Sequence, residues 1–142
     1  MPIDLLGQRL ARAGAWLLTV GMATGVWAGL VLTETIKVPI PRLALAAHLN
    51  AILGAFWLIA VSSTLDRLRY GATGRQRLAL GVALAAWANW LITLIASALG
   101  VRGLAYTSDP ANNVIAALLQ VFVVLPSLVA AAAWAWGFGG RR

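Results

Sequence analysis

The chain has 142 residues, of which 61% are hydrophobic and 11% are charged, and its formal net charge is +7. A soluble domain carries about 25% charged residues, so this composition is typical of an integral membrane protein. The absence of cysteine excludes disulfides, thiolate metal sites, iron–sulfur clusters and cysteine nucleophiles. The basic residues form no dense run, which favours charges that orient the chain in a membrane over a nucleic-acid surface.

Long apolar segments predict four transmembrane helices, at about residues 12–33, 43–65, 78–101 and 110–137. Each is long enough to cross ~30 Å of hydrocarbon, which takes about 20 helical residues. They are too long and continuous to be strands of a membrane barrel. The short connections favour helices that alternate in direction. We therefore predict an all-α fold in which residues 1–142 form one transmembrane four-helix bundle.

The basic residues predict how this bundle is oriented. Eight of the eleven fall on the side of the chain termini, and only Lys37, Arg42 and Arg102 fall on the other side. Basic residues concentrate on the cytoplasmic side, so both termini are expected in the cytoplasm, as in a bacterial-type inner membrane protein. The first apolar segment lacks a clear cleavage site for a signal peptidase, so we expect it to remain as a helix.

His48 is the only histidine of the chain, and it lies inside the second apolar segment. A polar residue within a membrane is costly, which makes His48 a candidate functional residue. Three interpretations are open: a structural hydrogen bond between helices, a proton relay, and a metal or haem ligand. A relay usually needs intramembrane carboxylates, and the apolar segments contain none. One histidine per chain does not build a protein-only metal cage, but a haem needs only one axial imidazole.

A second polar feature is a stripe along the third predicted helix. Asn89, Thr93 and Ser97 recur every four residues and therefore share one face. Thr93 is expected at the membrane depth of His48 and Asn50. Hydrogen bonds between helices explain such a stripe without a ligand, and a binding site is the alternative.

Three further patterns leave two interpretations each. Gly21, Gly25 and Gly29 form a stripe that suits close helix packing, either inside the chain or between copies of it. Trp87 and Trp90 lie in mid-membrane, as pocket walls or as packing residues. In the fourth predicted helix, Pro126 removes a backbone donor and is expected to kink the helix, with or without opening space in the bundle. These patterns alone assign no function.

Four short motifs resemble those of a known family. They are Ala47-His48, Trp87-Ala88-Asn89, Arg102-Gly103-Leu104 and Leu125-Pro126. Their order, spacing and apolar frame resemble the small four-helix membrane isomerases that include styrene oxide isomerase and hydroxylaminobenzene mutase. The resemblance extends over the second to fourth predicted helices.

The resemblance implies a homotrimer that binds haem b between protomers, with His48 as the axial ligand of the iron. It implies a ferric iron that acts as a Lewis acid on an oxygen of a small, apolar aromatic substrate. The reaction is a redox-neutral rearrangement, either of an aryl epoxide to an aldehyde or of an arylhydroxylamine to an aminophenol. Arg42 and Arg102, which lie on the same side of the membrane as His48, are the candidate partners of the haem propionates.

The same resemblance makes Asn89, Thr93 and Asn50 the candidate catalytic residues. Gly54 stands where the family has an asparagine that helps to hold substrate, and Thr93 stands where styrene oxide isomerase has a tyrosine. Asn50 lies one turn before Gly54 on the same face and is the candidate replacement. Loss of both larger side chains is expected to enlarge the pocket. A haem protein without catalysis and a structural or transport bundle without cofactor are the alternatives.

Overall fold

The structure, a computed structural model, describes residues 3–139, in which all regular elements are helical. A 3-10 turn, Leu65–Arg67, and a π-helical turn, Gln120–Val124, accompany five α-helices. These are α1 (Ile3–Leu32), α2 (Pro41–Ser62), α3 (Ala72–Leu99), α4 (Pro110–Leu119) and α5 (Leu125–Phe138). Together, α4, the π-helical turn and α5 form one continuous fourth helix.

Four helices are long and apolar enough to cross a membrane: Leu5–Leu32, Pro41–Ser62, Ala72–Leu99 and Pro110–Phe138. The predicted fold class, all-α with four membrane-spanning helices, is therefore confirmed. The cytoplasmic location of both termini remains a prediction.

The helices do not begin and end where the apolar segments do. α1 starts at Ile3 and α3 at Ala72, both before the apolar segment that predicted them. Backbone hydrogen bonding continues past charged residues because their side chains reach the headgroup layer. α2 ends earlier than its apolar segment, at Ser62, and the hydroxyls of Ser63 and Thr64 just beyond it donate to the Ala60 carbonyl.

α2 packs between α1 and α3, and its buried face is made of small residues. Ala44, Ala47, Ala51 and Ala55 are all completely buried. Membrane helices gain little from hydrophobic burial against each other, so they associate through close packing, which small side chains allow. This packing brings the backbone of α1 against the His48 region of α2.

The glycine stripe of α1 lies against α2 of the same chain. A Cβ atom at Gly21 would lie 2.8 Å from the Ala51 Cβ, and one at Gly25 would lie 2.7 Å from the His48 Cε1. Both glycines are therefore required for internal packing, which resolves the two alternatives for these residues. A Cβ atom at Gly29 would meet no other helix within 4 Å among the described residues.

The fourth helix widens just before its proline. Pro126 has no N–H, and its ring would clash with the carbonyl four residues earlier, that of Phe122. Phe122 lies inside the π-helical turn Gln120–Val124, and this wider turn relieves the clash with the proline ring. The irregularity expected at Pro126 thus takes the form of a local π-helical turn.

The connection between α2 and α3 is fastened to α5. The Tyr70 hydroxyl donates a hydrogen bond of 2.7 Å to the Ala133 carbonyl, and the Arg69 guanidinium lies 4.5 Å from the ring centroid of Trp136. The indole N–H of Trp134 donates to Thr64 Oγ1. The end of the bundle that carries the chain termini is therefore tied together by side chains.

Candidate functional site

His48 lies on α2, and its ring packs on α1. Its Nδ1 is 2.8 Å from the carbonyl oxygen of Gly21. A carbonyl oxygen only accepts, so Nδ1 carries the proton, and in the neutral imidazole this leaves the lone pair on Nε2. The missing side chain of Gly25 makes room for the ring. Backbone packing on α1 thus fixes both the position and the tautomer of His48.

The Nε2 atom of His48 has no hydrogen-bond partner among the described residues, and the side chain is only partly buried. Histidines that bind metals are commonly held in this way, with one N–H on a carbonyl and the other nitrogen free to coordinate. The site therefore fits an axial haem ligand. No three His, Cys, Asp or Glu side chains come together within the described part of the chain, so a protein-only metal cage is not formed there.

Asn50, Asn89 and Thr93 form one hydrogen-bonded cluster between α2 and α3. The Asn50 amide nitrogen is 3.1 Å from Asn89 Oδ1 and 3.0 Å from Thr93 Oγ1. A weaker contact of 3.5 Å joins Thr93 to Asn89 Oδ1. The structure thus brings together all three residues that the sequence proposed as catalytic.

This amide cluster, Asn50–Asn89–Thr93, keeps hydrogen-bonding capacity for a ligand. One amide contributes its NH2 and the other its oxygen to the contact between them. If both amides are turned over, their roles exchange and the contact remains. In either orientation one amide oxygen and one amide NH2 stay unengaged, so the cluster offers both an acceptor and a donor.

Ser97, the third member of the predicted stripe, does not join this cluster. It is completely buried, and its hydroxyl has no partner among the described residues. A four-residue repeat corresponds to slightly more than one helical turn, so the stripe drifts around α3 and Ser97 faces different neighbours.

Trp90 has a partner that the sequence did not reveal. Its indole N–H donates to Thr24 Oγ1 at 3.0 Å, and the Thr24 hydroxyl donates to the Val20 carbonyl at 2.7 Å. Trp87 meets Trp90 edge to face, with ring centroids 5.7 Å apart. Trp90 thus joins α3 to α1, and we call this contact the Trp90–Thr24 clamp. In the sequence, the only link between Trp90 and the candidate residues is its spacing of about one turn from Thr93.

Gly54 does not open a larger pocket, contrary to the sequence-based expectation. A Cβ at this position would lie 3.1 Å from both the Ala86 Cβ and the Leu17 Cδ2. The neighbouring helices have closed on the glycine, so the space of the family's asparagine is filled by packing. Asn50 is therefore the polar residue that α2 contributes to the amide cluster.

The two candidate propionate partners lie at the same end of the bundle as His48, and both are exposed. Arg42 is in the first turn of α2, six residues or about 9 Å along the axis from His48. Arg102 lines a cleft of about 400 Å³ beside α4. The structure shows no contact of either arginine with the amide cluster.

The loop that carries Arg102 is held by Asn112, a residue that no sequence pattern singled out. The Asn112 side chain accepts from the Gly103 N–H at 2.8 Å and donates to the Ala105 carbonyl at 2.7 Å. Gly103 has a φ of 62°, which favours glycine, and its missing Cβ leaves room for Ile115. The only sequence signal for this role is an asparagine shortly after Asp109-Pro110, and asparagine is common at the start of helices.

The fold and the site define a class of protein: a multi-pass membrane protein with an intramembrane histidine and a polar amide cluster inside a four-helix bundle. The chain belongs to the styrene oxide isomerase family, whose model matches residues 6–139. It is similar to hydroxylaminobenzene mutase HabB of Ectopseudomonas oleovorans, with 29% identity over 140 residues, 93% of this chain and 80% of the relative. The family predicted from the short motifs is confirmed, and both findings support a membrane isomerase.

Proposed function

We propose that this protein is a haem b-dependent membrane isomerase that catalyses a redox-neutral intramolecular rearrangement. The observation that carries the proposal is the geometry of His48, with Nδ1 bonded to the Gly21 carbonyl and Nε2 unengaged. Membership of the styrene oxide isomerase family supports the isomerase class. His48 is the axial ligand in this proposal.

The haem, when bound, supplies a Lewis-acidic ferric iron that draws electron density from a substrate oxygen. The protein residues hold and orient the reactants. His48 holds the iron, and the Gly21 carbonyl keeps the imidazole in the tautomer that can coordinate. Asn50, Asn89 and Thr93 orient the polar end of the substrate, and the surrounding apolar helices exclude water that would capture a cationic intermediate.

The amide cluster favours an arylhydroxylamine over an aryl epoxide as the substrate. An arylhydroxylamine has N–H and O–H donors and an oxygen acceptor, whereas an epoxide oxygen only accepts. A site with one free amide oxygen and one free amide NH2 can pair both groups with an arylhydroxylamine. With an epoxide, which has no donor, the amide oxygen stays unpaired. Similarity to a hydroxylaminobenzene mutase agrees with this choice.

The proposed reaction converts the arylhydroxylamine to its aminophenol isomer. The N–O bond breaks and a C–O bond forms at a ring carbon. That carbon loses its hydrogen as a proton, and the nitrogen gains one proton to become the amino group. The molecular formula does not change, so the reaction needs no external oxidant or reductant. An aryl epoxide that opens to an aldehyde by a hydride shift is the second substrate class to be assayed.

The proposal includes an assembly and an orientation. Arg42 and Arg102 bind the haem propionates, since both are exposed cations at the same end of the bundle as His48. His48 is partly exposed, which leaves access for a haem between protomers in the homotrimer that the family resemblance implies. The termini face the cytoplasm of a bacterial inner membrane, because eight of eleven basic residues lie at that end.

Absorption spectra of the protein purified in detergent, with and without added haemin, test the cofactor. We expect a Soret band for the wild type and for Asn89→Ala, and its loss in His48→Ala, with partial recovery on addition of free imidazole. Asn89→Ala is the matched control, because it removes a substrate contact and leaves the ligand intact. It should lose at least about tenfold in turnover of phenylhydroxylamine while keeping its spectrum.

The His48–Gly21 hydrogen bond favours one second candidate, a structural bundle without cofactor in which this bond only joins α1 to α2. That candidate predicts a colourless protein that does not take up haemin. A Soret band unchanged by His48→Ala would contradict the assigned ligand. A His48-dependent band without turnover of phenylhydroxylamine or styrene oxide would indicate a non-catalytic haem protein.

A further inference from the structure

A groove that the proposed function does not use lies between α3 and α5, toward the end of the bundle that carries the chain termini. Its volume is about 450 Å³, and its lining is almost entirely apolar. Small residues of both helices line it, among them Gly74, Gly81, Ala130 and Ala133, and Leu125 lines it nearest to the middle of the fourth helix. His48 lies near the opposite end of the bundle, so the groove is separate from the candidate site.

The groove exists because the facing residues of two helices are too small to fill the space between them. Gly81 and Ala130 approach closely, since a Cβ on Gly81 would lie 3.7 Å from the Ala130 Cβ. Tyr70 also lines the groove, and its hydroxyl donates to the Ala133 carbonyl. Leu125 and Val129 line the groove and are exposed, so it opens on the surface of the bundle.

The length of the groove matches one leaflet of a bilayer. Between Leu125 and Ala133 it follows eight residues of α5, or about 12 Å. The hydrocarbon of one leaflet is about 15 Å thick, half of a ~30 Å core. An acyl chain that runs from the headgroup layer toward the midplane therefore fits the groove along its axis.

The lining of the groove includes one cation. This is Arg77, which is exposed and lies one residue before the apolar segment of α3 begins. Two neighbouring arginines are engaged: Arg75 donates to the Leu68 carbonyl at 2.6 Å, and Arg69 lies over Trp136. Arg77 has no such partner among the described residues, so its guanidinium is available for an anion at headgroup depth.

We propose that this groove binds one anionic phospholipid of the bilayer, with an acyl chain between α3 and α5 and the phosphate on Arg77. Charge complementarity selects this occupant. A neutral apolar molecule would leave Arg77 without a partner, and the positive trimethylammonium of a zwitterionic lipid offsets its phosphate. Basic side chains attract anionic lipids at the membrane surface, and an apolar groove below the cation adds a specific seat for the chain.

Native mass spectrometry of the full-length protein in detergent tests the proposal, with equal amounts of palmitoyl-oleoyl phosphatidylglycerol and phosphatidylcholine added. We expect the wild type to retain phosphatidylglycerol preferentially, and Arg77→Gln to lower that retention about fivefold. Val129→Trp places a large side chain in the groove wall and should abolish retention of both lipids. The matched controls are Arg12→Gln, outside the groove, and Leu128→Trp, adjacent on α5, which should behave as the wild type.

Three results would overturn the proposal. Equal retention of both lipids by the wild type would show that the charge of the headgroup is not recognised. Equal losses in Arg77→Gln and Arg12→Gln would reduce the effect to general surface charge. A fall in oligomeric mass for Val129→Trp, but not for Leu128→Trp, would show that a second copy of the chain occupies the groove.

Discussion

At the scale of single residues, His48 illustrates how a membrane interior controls a polar side chain. Its partner is a backbone carbonyl on another helix, that of Gly21, so no second polar side chain is needed. The contact depends on a glycine, because Gly25 leaves the volume that the imidazole ring occupies. Two glycines and one histidine thus form a single packing unit, in which each residue type has a physical reason.

This unit makes Gly25 a sensitive position. In Gly25→Ala the new Cβ would lie 2.7 Å from the His48 Cε1, so the ring must move and the bond to Gly21 is strained or lost. We expect a loss of about 1–3 kcal/mol in the free energy of unfolding, as for other overpacked sites, together with weaker haem retention. Unfolding in mixed micelles and the Soret absorbance per protein measure the two effects.

Gly29→Ala is the control for that experiment, since the same substitution meets no atom within 4 Å among the described residues. Alanine has a higher helix propensity than glycine by about 1 kcal/mol, so this variant should be at least as stable as the wild type. If the two variants were equally destabilised, the packing of His48 on Gly25 would not be the cause.

At the scale of helices, the bundle is joined by polar contacts at several depths. Trp90 and Thr24 join α3 to α1, and Asn50 and Asn89 join α2 to α3. Trp134 and Thr64 join α5 to the end of α2. Such bonds are worth only about 0.6 kcal/mol on average in membranes, so they orient the helices more than they hold them together.

The Trp90–Thr24 clamp can be tested with a nearly isosteric change. Thr24→Val removes the acceptor of the Trp90 N–H and leaves that donor unpaired among buried residues. We expect a loss of about 1–2 kcal/mol in the free energy of unfolding and a shift in tryptophan emission.

Thr19→Val is the matched control on the same helix. Thr19 is exposed and bonds only to the Ala15 carbonyl of its own helix, so its replacement should change stability by less than about 0.5 kcal/mol. Equal stability of Thr24→Val and Thr19→Val would mean that the clamp contributes nothing measurable to the bundle.

At the scale of the whole molecule, the charges and the polar groups divide between the two ends of the bundle. Most arginines surround the end with the termini, where α5 receives the α2–α3 connection and the lipid groove opens. His48 lies toward the other end, where the loop held by Asn112 is also found. The proposed lipid site and the proposed reaction site therefore belong to opposite leaflets.

The orientation can be measured directly, because the chain has no cysteine of its own. Single cysteines at Thr107 and Thr73, both exposed and at opposite ends, serve as reporters. In spheroplasts we expect a membrane-impermeable maleimide to label Thr107→Cys but not Thr73→Cys, since the basic residues place the Thr73 end inside. Labelling of Thr73→Cys alone would invert the predicted topology.

The number of helices, their membrane character and the family were all readable before any coordinates, since hydropathy, chain length and short motifs are local properties of the sequence. The same applies to His48 as the exceptional residue and to the shared depth of Asn50 and Thr93, which follows from antiparallel helices; their contact with Asn89 does not follow from depth. Depth needs only the rise per residue, and it therefore transfers from sequence to structure.

Rotation about each helix axis was not readable, because it depends on how neighbouring surfaces fit together. That rotation selects Gly21 as the partner of His48, joins Trp90 to Thr24 and leaves Ser97 without a partner among the described residues. It also closes Gly54 by packing where a larger pocket was expected. Apolar membrane surfaces are alike in hydropathy and differ in shape, so these contacts emerge only when the helices pack against one another.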